Sequence, residues 1–417
     1  MSGPLGGLLV DVSPLRDSRH YRRLWTGDLV ASAGAQFSTV ALPYQVYKET
    51  GSSLDVGLLG LAALGPLLIG SLAAGAIADT YDRKHLLIFS QLVSAVGCLA
   101  LLFLTVRGDP PLLALYALAA LLAGSASIES PVRTAAVPLL VGLERLPAAA
   151  ALNQIVDQTS QIVGPALAGI AIATLGLKGC YATAAAGFGL GVLVVVSLPA
   201  MRPVGGATEP GWQALREGFA WVRRQPVLLS TFAIDLNAMI FGMPRALFPA
   251  LAASTFKVGP QGLGLMYAAP AAGALLAALG SGWVGGVQRQ GLSVIVAVLG
   301  WGASIAVFGL LPGDLFVLAL AMLAFAGAAD VISAVFRSTI LQEATPDGLR
   351  GRMSALHIAV VTSGPRLGDA ESGIVAALTT VRFAVVSGGV ICIAGVAALH
   401  FVSPVLAHFR RPTPEMG

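Results

Sequence analysis

Residues 54–106 read LDVGLLGLAALGPLLIGSLAAGAIADTYDRKHLLIFSQLVSAVGCLALLFLTV, two long apolar runs joined by the charged hairpin Asp79-Thr80-Tyr81-Asp82-Arg83-Lys84. A helix of about 20 apolar residues covers the hydrocarbon core of a bilayer. Each run therefore predicts a membrane-crossing helix, 54–78 and 86–106, with the hairpin as a short turn at the membrane surface. The same measure carried outward gives 24–47 before this pair and 111–141, 147–175 and 179–200 after it. Beyond a polar break, 227–254, 262–285, 291–311, 314–341, 353–378 and 382–407 complete a set of twelve. The reading is an all-α membrane protein of twelve transmembrane helices.

Composition agrees. The 417 residues are 56% hydrophobic and 11% charged, where a soluble domain is about 25% charged. Lipid must then be the solvent for most of the surface. The 50 glycines and 24 prolines suit membrane helices, whose neighbours re-satisfy freed backbone groups. A net charge of +4 forms no patch for nucleic acid. Cys98, Cys180 and Cys392 are far apart and without metal-ligand spacing, so they read as small apolar packing residues. Leu5–Val10 is too short for a signal-peptide core, and the first long helix is the expected uncleaved insertion signal. There is no GxxxxGK[ST], HExxH or GxSxG motif. No enzyme activity, cofactor or metal site is expected, and the energy source should be an ion gradient or the solute's own gradient.

The cations set the orientation. Arg16, Arg19, Arg22, Arg23, Arg83, Lys84, Arg145, Arg202, Arg216, Arg223, Arg224, Arg289, Arg350, Arg352, Arg410 and Arg411 fall on one side of the alternating stretches. Lys48, Arg107, Lys178, Lys257 and Arg382 fall on the other. An excess of about three to one predicts that the first side, with both termini, is cytoplasmic.

The polar break, 201–226, separates residues 1–200 from 227–417, six stretches from six. Within it, Trp212, Leu215, Phe219 and Val222 alternate with Arg216, Glu217, Arg223 and Arg224. That spacing fits an amphipathic helix lying on the cytoplasmic membrane surface, or else a solvated linker with one helical turn. The halves are related. Arg133-Thr134 and Arg337-Ser338, like Ala151-Leu152 and Ala355-Leu356, stand 204 positions apart. Ala41-Leu42-Pro43 aligns with Leu247-Phe248-Pro249 at 206, and Gly164-Pro165 with Gly364-Pro365 at 200. Parallel six-helix repeats place a solute site between the halves near the midplane.

Charges inside the apolar stretches point to that site. Asp or Arg at the bilayer centre costs roughly 2.5–3.5 kcal/mol, so such residues usually face a cavity. The candidates are Glu129, Arg133, Asp157, Asp235, Arg245, Asp330, Arg337, Arg366 and Asp369, with Glu371 further along the same stretch. Glu129/Arg133 at i,i+4 and Arg366/Asp369 at i,i+3 each share a helix face and read either as structural ion pairs or as a polar cavity wall. Asp157 has no basic neighbour on its helix, and Asn153, Gln154, Gln158 and Gln161 surround it. It is the first candidate to load and release a proton, ahead of Glu129 and Asp235. Arg245 and Arg366 either meet an anionic or catechol-bearing solute, as a guanidinium fork can, or neutralise Asp235 and Asp369. Asp28 is expected to be merely interfacial.

The hairpin Gly75-Ala-Ile-Ala-Asp79-Thr-Tyr-Asp82-Arg83-Lys84 resembles the signature loop between the second and third helices of the major facilitator superfamily. The resemblance implies that Gly75 permits close helix approach and that Asp79 faces the N-terminus of a neighbouring helix, the eleventh. It also implies that Arg83 and Lys84 pair with nearby acids, Glu144 among them. Asp82 stands where the family more often has glycine, and the counterpart around Gly282–Gly291 is degraded. Gly164-Pro165 with Gly169, echoed by Gly364-Pro365, is similar to the helix-bending Gly-Pro motif of the superfamily's exporters.

Phe37 through Lys84, Asp235–Leu251 and Gly364–Asp369 together resemble the enterobactin-exporter branch, which is close to macrolide and multidrug effluxers. The likeness covers essentially the whole chain. It implies a proton-driven exporter of a siderophore in a bacterial inner membrane, alternating between inward-open and outward-open states. Its partners would be a small molecule, protons and the lipid bilayer, and it would function as a monomer. Macrolide or multidrug efflux is the alternative, and a transport-inactive sensor or scaffold the remote one.

Overall fold

A computed structural model describes residues 11–202 and 211–409; Leu5–Val10, Pro203, Gly205, Gly206, Pro210, Arg410 and Arg411 lie outside the described residues. Every described regular element is helical. The long helices are α1 (Arg19–Thr50), α2 (Ser53–Thr80), α3 (Arg83–Arg107), α4 (Leu112–Val141), α5 and α6 (146–175 and 177–196), α7 (Pro226–Thr255, interrupted), α8 (Gly259–Leu279), α9 (Gln290–Leu310), α10 (Phe316–Ala344), α11 (Arg350–Leu378) and α12 (Val381–Val402). Among the described residues, nine helices are long and apolar enough to cross a membrane. One of the nine is the continuous Leu146–Val196, which turns at Gly176 (φ 69°, ψ −177°). α1 and α11 fall outside that group: Gln36, Pro43, Tyr44 and Gln45 dilute the apolar run of α1, and Arg366, Asp369 and Glu371 interrupt that of α11. Each of the twelve stretches expected from the sequence lies on one of these helices, with boundaries shifted by up to six residues.

Local chemistry explains the boundaries. Ser18, Ser52 and Thr380 accept hydrogen bonds from the backbone N–H groups of Tyr21, Asp55 and Phe383, capping α1, α2 and α12. Gly51 stops α1 in the left-handed conformation. Gly176 lets α5 fold into α6 without a loop, at a positive φ that a side chain would strain.

α1 packs on α5 and α6, α2 on α4, and α3 on α4 and the α5–α6 unit. In the second set α8 and α9 pack on α10, α9 on α12, and α7 on α11 and α12. Two crossings join the sets, α2 with α11 and α5 with α8. Both rest on glycine pairs. A Cβ at Gly57 would lie 3.2 Å from the Cα of Gly373, and one at Gly169 3.0 Å from the Cα of Gly264. With the helices running alternately up and down, both crossings lie at the end of the bundle remote from the termini. Large apolar side chains such as Ile69, Leu113, Val317 and Leu378 are left exposed, as lipid requires and water would not tolerate in such number. Between α6 and α7, Gly211–Val222 is a helix, as expected of Trp212–Arg224. Glu217 pairs with Arg352 at 2.7 Å, and Trp212 and Phe219 stay exposed.

The signature hairpin differs in part from expectation. Arg83 pairs with Asp79 at 3.8 Å, and Lys84 donates to the Leu198 carbonyl at 2.6 Å. Glu144 is exposed and takes neither cation. Asp82 caps α3 through the Lys84 N–H and also accepts from the Met201 N–H, each at 2.9 Å. A Cβ at Gly75 would meet nothing within 4 Å, so in this conformation Gly75 makes no close helix contact. The face of α2 that carries Gly75 is open, while Ala74 and Ala78 on another face of the same end are buried.

Candidate functional site: a cavity between the two sets of helices

A cavity of about 840 Å³ lies between the two sets of helices. α1, α4, α5, α7, α10 and α11 line it, the last five being the stretches that carry the candidate charges. α2 and α8 contribute as well, through Val56, Gly60, Tyr267 and Pro270 among others. Those two helices were not foreseen because what they mostly present is small and apolar.

Of the predicted residues, Glu129, Arg133, Asp157, Arg245, Asp330, Arg366 and Asp369 reach the wall. Asp235 and Arg337 sit behind it, 2% and 3% exposed. Arg133 holds Glu129 at 2.8 Å and also closely pairs with Asp28 on α1. Asp28 is only 5% exposed, which corrects its reading as interfacial. α1 begins at Arg19, more than two turns before it, and carries it into the bundle. Gln91 on α3 donates to Glu129 at 3.0 Å, so three helices converge on one acid–base cluster.

The second half builds a related cluster. Arg337 contacts Asp235 on α7 at 2.8 Å and Asp330 at 3.7 Å, and donates to Ser333 at 2.7 Å. Arg337 stands 204 positions after Arg133, and Asp235 stands 207 after Asp28. In both halves the tenth-helix or fourth-helix arginine binds the first helix of its own set. Unpaired buried charge is costly, and pairing it this way fixes helix to helix.

α7 departs from its repeat partner α1. Regular helix ends at Phe241, Gly242–Pro244 leave it, and a 3-10 turn, Arg245–Leu247, starts the next segment. Gly242 and Pro244 give the local reason, since proline cannot donate and favours an end to the preceding helix. The freed backbone groups find side chains. Trp301 donates to the Gly242 carbonyl at 2.6 Å, Tyr267 to the Arg245 carbonyl at 3.3 Å, and the Ala246 N–H donates to Asp369 at 3.1 Å. Arg366 lies 3.8 Å from the other Asp369 oxygen. Asp235 is taken by Arg337, so it does not neutralise Arg245.

The Gly-Pro motifs act as packing surfaces. Backbone dihedrals stay helical at Pro165 and Pro365. A Cβ at Gly164 would come within 2.6 Å of Gln36, one at Gly364 within 2.8 Å of Met239, and Gly169 forms the α5–α8 crossing.

Asp157 is exposed on the cavity wall, and among the described residues no cation pairs with it. Cys98, Cys180 and Cys392 are buried and free. No group of three metal-ligating side chains occurs among the described residues.

Residues 10–408 match a family described as transmembrane secretion effector. The enterobactin exporter EntS of Escherichia coli (strain K12) is 30% identical over 409 residues, covering 98% of this chain and 97% of that relative. Among solved structures, nucleoside transporter NupG superposes with a TM-score of 0.76 at 13% identity, covering 94% of this chain and all of that one. A bacterial homologue of the iron transporter ferroportin, in its inward-facing state, gives 0.68 at 16%, covering 94% and 99%. This multi-pass membrane protein is a transporter of a small-molecule substrate, and it belongs to the transmembrane secretion effector family of the major facilitator superfamily.

Proposed function

We propose that this protein is a proton-driven exporter of a small molecule of the siderophore type in a bacterial inner membrane. The observation that carries proton coupling is Asp157, a carboxylate on the cavity wall without an ion-pair partner among the described residues. Such a group can exchange a proton with cavity water without first breaking a salt bridge, whereas Glu129 and Asp235 are committed to Arg133 and Arg337. The relative named as an enterobactin exporter, alike over nearly the full length of both chains, supports the cargo class.

In this reading all twelve helices cross the membrane with both termini cytoplasmic, and residues 1–200 rock against 227–417 in a single chain. The glycine crossings close the cavity on the outer side, and the open space beside Gly75 lies on the inner side, so the conformation is the one that loads cargo from the cytoplasm. In the opposite state the loop from Gly75 to Lys84 latches the inner side, with Asp79 turned to the N-terminus of α11.

The test is a comparison of culture medium from a deletion strain and its complemented parent under iron starvation, by mass spectrometry. A siderophore lost from the medium and retained in the deletion cells is the expected result. Unchanged siderophores would overturn the cargo and turn attention to macrolide efflux in vesicles under an imposed pH gradient.

A further inference from the structure

Cavity charge is unevenly distributed. On the α7–α11 wall, Arg245 and Arg366 flank a single carboxylate, Asp369. One oxygen of that carboxylate accepts from the Ala246 N–H at 3.1 Å, and the other stands 3.8 Å from Arg366, beyond hydrogen-bond distance. Among the described residues, no carboxylate pairs with Arg245, whose side chain is exposed into the cavity. Both guanidinium groups lie within electrostatic range of Tyr267, whose ring also lines the cavity and whose hydroxyl donates to the Arg245 carbonyl. Every other arginine on the wall is matched, since Arg133 has two acids to itself. This wall therefore sets two guanidinium groups against one carboxylate; Asp330 also lies within electrostatic range of Arg245, but its ion pair is with Arg337 at 3.7 Å, so the Arg245 fork keeps donors to spare.

The break in α7 explains why Arg245 is left without an ion pair. In a continuous helix the Ala246 N–H would bond to a carbonyl within α7. Here it takes an Asp369 oxygen, so that acid stays within electrostatic range of Arg245 without forming an ion pair with it. Gly60 on α2 makes room for that acid: a Cβ there would lie 3.0 Å from the Asp369 Cβ.

We infer that Arg245 and Arg366 form a subsite for an anionic oxygen group of the cargo, a carboxylate or a deprotonated catechol, with Tyr267 as the adjoining aromatic surface. The inference rests on the reading of the cavity as the cargo site and adds the chemical group that the site selects. A neutral or cationic solute would leave the donors of the Arg245 guanidinium without an anionic partner, so the subsite discriminates against it.

The experiment measures equilibrium binding of three probes to the full-length protein in phosphatidylcholine nanodiscs: 2,3-dihydroxybenzoate, its neutral amide, and benzoate. The wild type should prefer the acid to the amide by about tenfold or more. Arg245→Gln and Arg366→Gln should each reduce that preference to about threefold or less while amide binding is unchanged, and Arg245→Lys should restore part of it. Benzoate binding that depends on the same two arginines would show that the carboxylate alone suffices, and its absence that the catechol hydroxyls are needed beside it. Equal binding of acid and amide by the wild type overturns the proposal. So does a preference that survives both Gln substitutions in protein with a normal melting transition. Displacement of the acid by added phosphatidylglycerol, in an Arg245-dependent manner, would give the site to a lipid phosphate and overturn it as a cargo subsite. The outcome is separable from proton-driven export, because a carrier driven only by its solute's gradient would keep the preference, and an exporter of neutral cargo would lack it.

Discussion

Asp28 and Arg133 form a buried ion pair that ties α1 to α4, and the second half repeats it as Asp235 with Arg337, tying α7 to α10. Each arginine has a further acid on its own helix, Glu129 or Asp330. Arg337→Gln strands Asp235 where water is scarce and should cost about 3–5 kcal/mol, whereas Asp28→Asn leaves Arg133 its second acid, Glu129, and should cost less. The double substitution Asp28→Asn with Arg133→Gln should cost less than the sum of its single changes. Thermal melting of the four purified proteins gives the coupling energy directly.

Asp157 makes no such pair, and its replacement should affect transport and not stability. Asp157→Asn should change unfolding free energy by about 0.5 kcal/mol or less and abolish solute movement driven by an imposed pH gradient in vesicles. Exchange of labelled for unlabelled solute without a gradient should continue. Gradient-driven transport at the wild-type rate would remove Asp157 from the coupling step.

At the glycine crossings there is no room for a side chain. Gly264→Leu should force α8 from α5 and open the far end of the cavity, because the nearest atoms are the backbone of Gly169 and Pro165. The native cysteines are buried, so a reporter such as Ser53→Cys beside the other crossing can be read over a low background. Its labelling by a membrane-impermeant maleimide should accelerate about tenfold or more in the Gly264→Leu protein, a shift of roughly 1.4 kcal/mol in the opening equilibrium. An unchanged rate would show that the crossing is not what closes that end.

Asp82 replaces a glycine common in the superfamily and has two backbone donors to itself, Lys84 N–H and Met201 N–H. Asp82→Gly should lower stability by about 1 kcal/mol, the usual value of a helix N-cap together with a loop contact. The melting temperature should fall while the folded protein keeps its binding of solute.

Much of this was legible in the sequence because membrane helices announce themselves by length and apolarity, and because Glu129/Arg133 and Arg366/Asp369 are pairs within one helix. Contacts between helices were harder to see. Asp28 was misread since hydropathy placed it near a helix end, yet its offset of 207 from Asp235 carried the signal once the repeat was known. Tyr267 and Trp301 gave no charge or motif to notice, and their role follows from backbone groups freed by the break in α7. Gly242 and Pro244 marked that break in the sequence. Gly75 was read as a contact residue, but whether helices meet there depends on conformation, which a sequence pattern does not specify.

At Gly57–Gly373 and Gly169–Gly264 the crossings bring bare backbone against bare backbone, with the Asp369 side chain seated close by against Gly60. Among the described residues no ion pair joins the helices at either glycine pair, so what parting the glycines loses is chiefly a patch of dispersion contact that lipid or water can partly replace. Two arrangements joined by such a surface can lie close in free energy. A modest difference in a bound molecule's affinity for the two is then enough to move the population from one to the other.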